Sequence, residues 1–240
     1  MARRTKRRSS RPTRSRLGRL FGWIVRTLAL FVLVSVLWVA AYRFVPPPLT
    51  LTMIGDMLGG KSVHKDWMPL STMDPNMARA AISAEDGNFC RHHGFDFTAI
   101  QKAMAGNEAG RHYRGGSTIS QQAAKNAFLW QGRSYVRKGL EAWFTVLIEA
   151  IWGKRRIMEV YLNIAETGIG TYGANAGAQR YFHHDAARLS ASEAARIAAI
   201  LPLPKKRDAI DPRGFVRRYG DRIARRIAPM VRGGYTACVR

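Results

Sequence analysis

The sequence predicts a mostly α-helical protein with one membrane-spanning helix near its N-terminus. Three observations support this: an apolar run from Leu20 to Tyr42, helix-capping patterns after it, and no convincing alternation of apolar and polar residues. The 240 residues allow one ordinary domain with small appendages. The 47% share of hydrophobic residues excludes a disordered polyelectrolyte, although the formal net charge is +23.

The basic surplus lies mainly at the two ends of the chain. Residues 1–26 carry ten basic residues and no acid, and residues 205–240 carry eleven basic and three acidic residues. The middle, 27–204, has a net charge of only +5. Cys90 and Cys238 are too few for a disulfide framework and lack the spacing of metal ligands. The sequence leaves open whether they are separate thiols or one disulfide.

The apolar run at residues 20–42 is interrupted by one charge, Arg26. As a helix it would be about 35 Å long, enough to cross a hydrocarbon core of about 30 Å. A cleaved signal peptide would look similar, but the run is long and no clean small-residue cleavage site follows it. An uncleaved anchor is therefore favoured. The basic tail at 1–19 should stay in the cytoplasm while the rest crosses the membrane.

Several helices are expected beyond a juxtamembrane linker at residues 43–66. The first follows an N-cap pattern at Asp74-Pro75, and the last follows the capping box that Ser190 and Glu193 form. The expected ranges are 76–86, a start near 117, 134–152, 154–164 and 191–201.

The pair Glu85 and Asp86 lies at the expected C-terminus of the first of these helices. A helix C-terminus carries partial negative charge, so a carboxylate there, beside a second one, should have a raised proton affinity. That property suits a general base. The alternative is that both carboxylates simply face solvent.

A second candidate is the helix start that follows Gly115-Gly116. Free N–H groups and the helix dipole there would attract an anion, and Gln121 and Lys125 share a face with Ser117. A polar stripe with one cation suits a phosphate or a sugar. The alternative is a capped surface helix.

A third candidate is the group of Arg137, Lys138 and Glu141, which one helical turn brings together. Its alternative is an ordinary surface ion pair worth under about 1 kcal/mol. In addition, Tyr161 and Asn163 could line a polar cleft, although core packing is the default for Tyr161.

Taken together, these segments resemble the peptidoglycan glycosyltransferases of glycosyltransferase family 51, over about residues 67–204. Five blocks typical of that family occur in order, and five ordered blocks are far more specific than any one of them. With one span and no transpeptidase domain, the chain is similar to the monofunctional members. The resemblance implies a lysozyme-like, mostly α-helical domain, with 205–240 as a basic C-terminal segment. The blocks include Glu85, Asp86, Phe89, His92, Gly94, Ser117, Thr118, Gln121, Gln122, Lys125, Asn126, Arg137, Lys138 and Glu141.

The resemblance also implies the reaction, which is polymerisation of lipid II into β-1,4-linked glycan with release of undecaprenyl pyrophosphate. Glu85 would be the general base, and Glu141 would hold the cations or a divalent metal. The expected substrate and pyrophosphate ligands are Ser117, Thr118, Gln121, Gln122, Lys125, Asn126, Arg137 and Lys138. Asp86, Phe89, His92 and Gly94 would support them. No metal site within the protein is expected, so a Mg²⁺ or Mn²⁺ ion would be held with the substrate pyrophosphate.

The expected location is the bacterial inner membrane, with a cytoplasmic N-terminus and a periplasmic catalytic domain. The expected partners are lipid II, the growing glycan chain and other cell-wall synthesis proteins, but no nucleic acid. A mobile lid is expected over 105–113. The basic segment 205–240 should lie against anionic headgroups or the wall, or form a solvated terminal helix.

Two other functions stay open at this stage. A lysozyme-like hydrolase or lytic transglycosylase would cleave glycan instead of making it. The cation group argues against it, because cleaving a saccharide linkage involves no pyrophosphate. A membrane-anchored nucleic-acid binder rests on net charge alone, and the expected topology separates the basic tail from the domain.

Overall fold

Helices make up most of the chain, as the sequence predicts. A computed structural model describes residues 16–108, 116–132 and 134–240. Three short strands accompany the helices in these ranges: β1 (His64–Lys65), β2 (Glu166–Gly168) and β3 (Thr171–Tyr172). The helices there are α1 (Arg16–Phe44), α2 (Leu51–Leu58), α3 (Pro75–Glu85), α4 (Phe97–Glu108), α5 (Ile119–Phe128), α6 (Tyr135–Ile151), α7 (Gly153–Ile164), α8 (Ala174–Phe182), α9 (Ala191–Ile200) and α10 (Gly214–Arg232).

The chain divides into two compact units, Met1–Trp38 and Val39–Arg240. The described part of the first unit lies in α1, a helix of 29 residues. Within the described ranges, α1 is the one helix that is long and apolar enough to cross a membrane. It fits a single-pass anchor, and most of its large apolar side chains up to Trp38 are exposed in the isolated chain.

The predicted helices are found, and side-chain caps explain where four of them begin. Asp74 caps α3 by accepting a hydrogen bond from the Asn76 N–H at 2.8 Å. The helix expected near residue 117 begins two residues later, because Thr118 is its N-cap. Ser134 caps α6, and the expected capping box opens α9.

The core of the second unit consists of two groups of helices. In one, α3, α9 and α10 pack together, and small side chains such as Ala81 and Ala198 are fully buried between them. In the other, α5 packs against α6 and α7, and the rings of Phe128 and Phe144 stack at 4.6 Å between centroids. These two groups hold the segments that carry the candidate residues.

The expected linker at 43–66 belongs to the compact second unit. It contains α2 and β1, and β1 pairs in parallel with β3, which pairs antiparallel with β2. The Tyr172 hydroxyl on β3 donates a hydrogen bond to Asp56 of α2 at 2.6 Å. The strands contain only two or three residues each, too few to show an alternating pattern in the sequence.

The basic segment 205–240 is also part of this unit, so the boundary expected at residue 204 needs correction. Ile223, Ile227 and Met230 of α10 are buried, and the helix packs on α9 and α3. Their spacing of four and three residues forms one helical face, which the surrounding arginines obscure in the sequence. Cys90 and Cys238 form a disulfide that fastens the tail to the loop after α3. The structure therefore resolves the alternative left open for the cysteines.

The packing of α10 predicts a difference between two substitutions on the same helix. Ile223→Ala should lower the free energy of unfolding by about 2–4 kcal/mol, because it leaves a cavity in the core. Arg225→Ala, at an exposed position, should change it by no more than about 0.5 kcal/mol. Denaturant unfolding of the two variants measures both values, and equal small effects would indicate a solvated appendage.

Candidate active site

A cleft of about 840 Å³ brings together three of the predicted groups of residues. Its walls come from the end of α3, from α5, from α6, and from the segment between α9 and the middle of α10. The polar and charged residues that line it are Glu85, Ser117, Gln121, Gln122, Lys125, Arg137, Lys138, Glu141, Arg207, Tyr219, Arg222 and Arg226.

Glu85 is the last residue of α3, and its two carboxylate oxygens differ in their surroundings. Oε2 accepts a hydrogen bond from the Gln122 amide at 2.9 Å. Oε1 is buried and has no hydrogen-bond partner among the described residues. Burial raises the pKa of Glu85, while the Gln122 hydrogen bond and the charge of Arg207 oppose the rise. The direction agrees with the sequence expectation, but the main cause is burial, not the helix end.

Asp86 does not line the cleft and instead joins two helices. Its buried carboxylate accepts hydrogen bonds from His92 Nε2 at 3.0 Å and from the Ile119 N–H at 2.9 Å. His92 Nδ1 accepts the Gly94 N–H at 3.2 Å, so the ring proton is on Nε2 and points at Asp86. The end of α3 is thereby fixed to the start of α5.

The other predicted supporting residues also act from behind the cleft. Phe89 is fully buried, with the Lys154 ammonium 4.5 Å from its ring centroid. Gly94 has φ +92°, and a Cβ there would lie 2.8 Å from Thr145 Cγ2. Its carbonyl accepts a hydrogen bond from the Thr118 hydroxyl at 2.6 Å. These contacts explain why a residue without a side chain is needed at position 94.

Three N–H groups at the start of α5, which the sequence predicts to be free, have partners within the protein. The Ile119 N–H is bonded to Asp86, and the Gln121 N–H is bonded to the Thr118 hydroxyl at 3.2 Å. Gln121 Oε1 in turn accepts the Thr118 N–H at 3.0 Å, which completes a capping box. These three amides are satisfied within the protein, and the polar side chains that line the cleft remain as ligands for an anion.

The polar face of α5 divides between two cavities. Ser117, Gln121, Gln122 and Lys125 line the cleft, and burial lowers the pKa of the Lys125 ammonium. Asn126 instead lines an adjoining pocket of about 300 Å³, which shares Gln122 and Lys125 with the cleft. Thr118, the remaining predicted ligand on this segment, is a buried N-cap and does not line the cleft.

The group on α6 is not an ordinary surface ion pair. Glu141 is 3% exposed, and its Oε2 accepts a hydrogen bond from Arg137 NH1 at 2.8 Å. The Lys138 ammonium contacts Oε1 of the same carboxylate. Arg137 also donates from Nε to the Gly132 carbonyl at 2.8 Å. One buried carboxylate therefore fixes two cations at the edge of the cleft.

Asn163 does not line the cleft, although the sequence suggested that it could line a polar cleft together with Tyr161. Its side chain is fully buried and bonds both the N–H and the carbonyl of Met68, at 2.8 and 2.9 Å. Tyr161 is buried as well and lines the adjoining pocket. Of the expected lid at 105–113, residues 109–113 lie outside the described ranges.

The C-terminal segment contributes a part of the cleft that the sequence motifs did not predict. Arg207, Tyr219, Arg222 and Arg226 line it, together with Phe215. The signal was the spacing of Tyr219, Arg222 and Arg226, which puts three cleft-facing side chains on one face of a helix. Net charge alone had suggested a lipid-facing or solvated segment.

The residues that line the cleft suit an enzyme that transfers a group from an anionic carrier. A buried carboxylate with an unpartnered oxygen can remove a proton, and cations in the same cleft can stabilise an anionic leaving group. This combination suits a group transfer from an anionic carrier.

The comparisons with known proteins identify the family. The transglycosylase family profile matches residues 52–228, and the chain belongs to that family. Its relatives include the biosynthetic peptidoglycan transglycosylase of Caulobacter vibrioides, which is 52% identical over 228 residues, covering 93% of this chain and 100% of the relative. The protein of that name from Xanthomonas campestris pv. campestris (strain B100) is 46% identical over 95% of each chain. The one from Bdellovibrio bacteriovorus is 46% identical over 91% of this chain and 90% of its own. The resemblance inferred from the motifs is confirmed.

The buried state of Glu85 predicts a pH-dependent gain in stability for Glu85→Gln. Because the folded-state pKa lies above the unfolded value of about 4.3, the stability that Glu85 contributes is present below that pH. It is lost as the pH rises through the folded-state pKa. The variant should therefore melt at a higher temperature than the wild type at pH 7–8, and at the same temperature near pH 4.

Glu193→Gln is the matched control, because the pKa of Glu193 is shifted in the opposite direction to that of Glu85. Burial acts to raise the pKa of Glu193, but hydrogen bonds with Ser190 and His184 outweigh it and hold this pKa below its usual value. This variant should melt no higher than the wild type at pH 7–8. A Glu85→Gln protein that is destabilised at neutral pH would contradict the account.

Proposed function

We propose that this protein polymerises lipid II into the β-1,4-linked glycan strands of peptidoglycan, with inversion at the anomeric carbon and release of undecaprenyl pyrophosphate. Membership of the transglycosylase family makes the chain a peptidoglycan glycosyltransferase. One observation carries the proposal for the site: Glu85 lines the same cleft as six cationic side chains, and its Oε1 has no hydrogen-bond partner among the described residues.

Glu85 acts as the general base in this proposal. Gln122 holds Oε2, which leaves Oε1 to accept the proton of the acceptor sugar's 4-hydroxyl. The hydroxyl oxygen then forms a bond to the anomeric carbon of the growing chain, and the bond from that carbon to the pyrophosphate oxygen breaks. The proton ends on Glu85, and the electron pair of the broken bond leaves with the pyrophosphate. The raised pKa of Glu85 makes it a stronger base than an exposed glutamate.

The cations of the cleft stabilise the pyrophosphate as it leaves. Lys125, Arg137 and Lys138 come from α5 and α6, and Arg207, Arg222 and Arg226 come from the C-terminal segment. Charge-assisted hydrogen bonds from such groups to phosphate oxygens are stronger than neutral ones. Glu141 has a positioning role, because its buried carboxylate holds both Arg137 and Lys138.

A lipid-linked donor also fits the surroundings of the cleft. A pocket of about 260 Å³ is lined by Ile100, Ala103 and Met104 of α4. It shares Ser117, Gln121 and Lys138 with the cleft. An apolar pocket beside the pyrophosphate ligands has room for the first isoprene units of the lipid, whereas a soluble sugar nucleotide would not need it.

A lytic reaction is not favoured. Hydrolysis of a glycosidic bond needs carboxyl groups but no ligand for pyrophosphate. Such a reaction would leave the six cations of the cleft without a role. The relatives described above are named biosynthetic peptidoglycan transglycosylases.

The residues of the cleft do not fit a resident divalent metal. Within the described ranges, no cluster of three or more His, Cys, Asp or Glu side chains could hold one. Of the two carboxylates that line the cleft, Glu141 is bonded to two cations. We propose that Mg²⁺ or Mn²⁺ enters with the substrate's pyrophosphate, where it supplies charge neutralisation in addition to that of the protein's own cations.

We propose the bacterial inner membrane as the location, with α1 as a single-pass anchor, a cytoplasmic N-terminus and a periplasmic domain. The nine basic residues in positions 1–19, before the apolar run, support this orientation. The disulfide between Cys90 and Cys238 supports a periplasmic domain, because disulfides persist in oxidising compartments. The proposed partners are lipid II and the growing glycan chain.

The reaction is tested with purified full-length protein in detergent and labelled lipid II. The wild type should yield a ladder of polymer that a muramidase digests. Glu85→Gln should reduce its rate by about 100-fold or more, because the general base is lost. Lys138→Ala and Glu141→Gln should each lose most turnover. A chelator should slow the reaction without abolishing it.

Glu193→Gln is the control for a glutamate change outside the cleft, since glutamine can also serve in a capping box. It should polymerise as the wild type does. Wild-type activity in Glu85→Gln would refute the assignment of the base. Shortening of pre-made glycan without polymer formation would show a hydrolase.

The orientation predicts where a reporter becomes active. Alkaline phosphatase, which folds only after export, should be active when fused after Arg240 in a bacterial cell. A fusion to the N-terminus should be inactive. The reverse pattern in the two fusions would contradict the proposed topology.

A further inference from the structure

We propose that the C-terminal helix and tail form a clasp that positions the catalytic carboxylate Glu85. The clasp consists of residues 214–240, and it holds the segment 84–90 at both ends. Tyr219 is its positioning residue, and the disulfide between Cys90 and Cys238 is its covalent fastening. The inference rests on the proposed function, in which Glu85 is the general base.

The first attachment lies directly before Glu85. The Tyr219 hydroxyl donates a hydrogen bond of 2.7 Å to the carbonyl of Ala84. Ala84 is in the last turn of α3, where carbonyls have no partner within the helix. Tyr219 therefore supplies a bond that the helix itself cannot, and it fixes the backbone to which Glu85 is attached.

Tyr219 stays a donor under the conditions of the reaction. Its ring stacks on Phe215 at 5.6 Å between centroids, and both residues line the cleft. Burial raises the pKa of the Tyr219 hydroxyl, and the charge of Glu85 raises it further. The hydroxyl therefore keeps its proton, and the bond to Ala84 persists at the pH of the periplasm.

The second attachment lies five residues after Glu85. Cys90 is bonded to Cys238, which is 148 positions away in the sequence, and the Cys238 N–H donates to Cys90 Sγ at 3.3 Å. The neighbouring Arg91 places its guanidinium 3.6 Å from the centroid of the Tyr235 ring and donates to the Gly233 carbonyl at 3.3 Å. The tail thus holds this loop by a covalent bond, a ring contact and hydrogen bonds.

Between the two attachments, α10 is held on the core by Ile223, Ile227 and Met230. One packed helix therefore links the residue before Glu85 with the loop after it. The same helix carries Arg222 and Arg226 into the cleft. Loosening the clasp should shift the base relative to Lys125, Arg137 and Lys138, which lie on α5 and α6, outside the clasp. We therefore expect the chemical step to be affected more than substrate binding.

The first test replaces Tyr219 by phenylalanine and uses Tyr181→Phe as a matched control. The Tyr181 hydroxyl also donates to a backbone carbonyl, that of Thr167 at 2.8 Å, but it does not line the cleft. Tyr219→Phe should lower kcat for lipid II by about tenfold and leave KM within about twofold. The acidic limb of its pH–rate profile should move toward the value of an exposed glutamate. Identical kinetics in the two variants would overturn the role of Tyr219.

The second test opens the covalent fastening in two ways. Dithiothreitol reduces the disulfide of the folded wild type to two thiols and is itself oxidised to a cyclic disulfide. The variant Cys90→Ser/Cys238→Ser lacks the bond from the start. Both should show faster amide hydrogen exchange across 84–90, unchanged exchange in α8, and a several-fold lower kcat with little change in KM. Dithiothreitol should not affect the double variant.

Hydrogen exchange and kcat together distinguish a failure of the clasp from a failure of the proposed reaction on which it rests. Unchanged exchange across 84–90 after reduction would overturn the clasp, whatever the activity. Faster exchange with an unchanged kcat would overturn its role in positioning Glu85. A folded wild type that makes no polymer would refute the proposed reaction, while the exchange data would still decide whether the clasp exists.

Discussion

The architecture of the site depends on the buried carboxylate of Asp86. It accepts hydrogen bonds from His92 and from the first N–H of α5, so the end of α3 and the start of α5 cannot separate without breaking the second of these bonds. This junction puts Glu85 beside Gln122 and opposite the cations of α6. Each donor that lost its acceptor here would cost about 1–3 kcal/mol, because it would stay buried without a partner. Asp86 thus contributes by geometry, while Glu85, the proposed base, keeps one carboxylate oxygen without a partner in the described part of the chain.

Charge is distributed in the cleft in a way that favours reactivity over stability. Burial raises the pKa of Glu85 and lowers that of Lys125, so both groups resist the charged form that ordinary surface residues adopt. Active sites commonly accept such a cost because shifted proton affinities are needed for catalysis. The buried Glu141 reduces the cost on the cationic side, since it neutralises part of the charge of Arg137 and Lys138. The basic C-terminal segment adds three arginines to the same cleft, so six cations and two carboxylates line the place where an anionic leaving group would be bound.

Local sequence signals predicted much of the fold and of the site, and tertiary contacts account for the rest. Capping residues such as Asp74, Ser134 and Ser190 act within one turn of the chain, so their helices could be placed to within two residues. Short sequence motifs were enough to predict Glu85, Lys125 and the charged group on α6 as candidate site residues. The C-terminal segment was not, because its role depends on three apolar residues that select a packing partner far away in the sequence. Other residues have side chains that suit ligand binding but do not line the cleft, because packing places them elsewhere. Asn126 lines the adjoining pocket, Thr118 caps α5, and Asn163 is buried and bonded to Met68.

The central claim is that Glu85 is a buried base whose proton affinity the fold has raised. The most direct measurement is a carbon-13 NMR titration of the glutamate side-chain carboxyl carbons in the full-length protein, with Glu85→Gln to assign the signal. The account predicts that the Glu85 resonance titrates clearly above the value of about 4.3 that is typical of an exposed glutamate. A titration at or below that value would contradict the account, because the carboxylate would then be an ordinary surface charge.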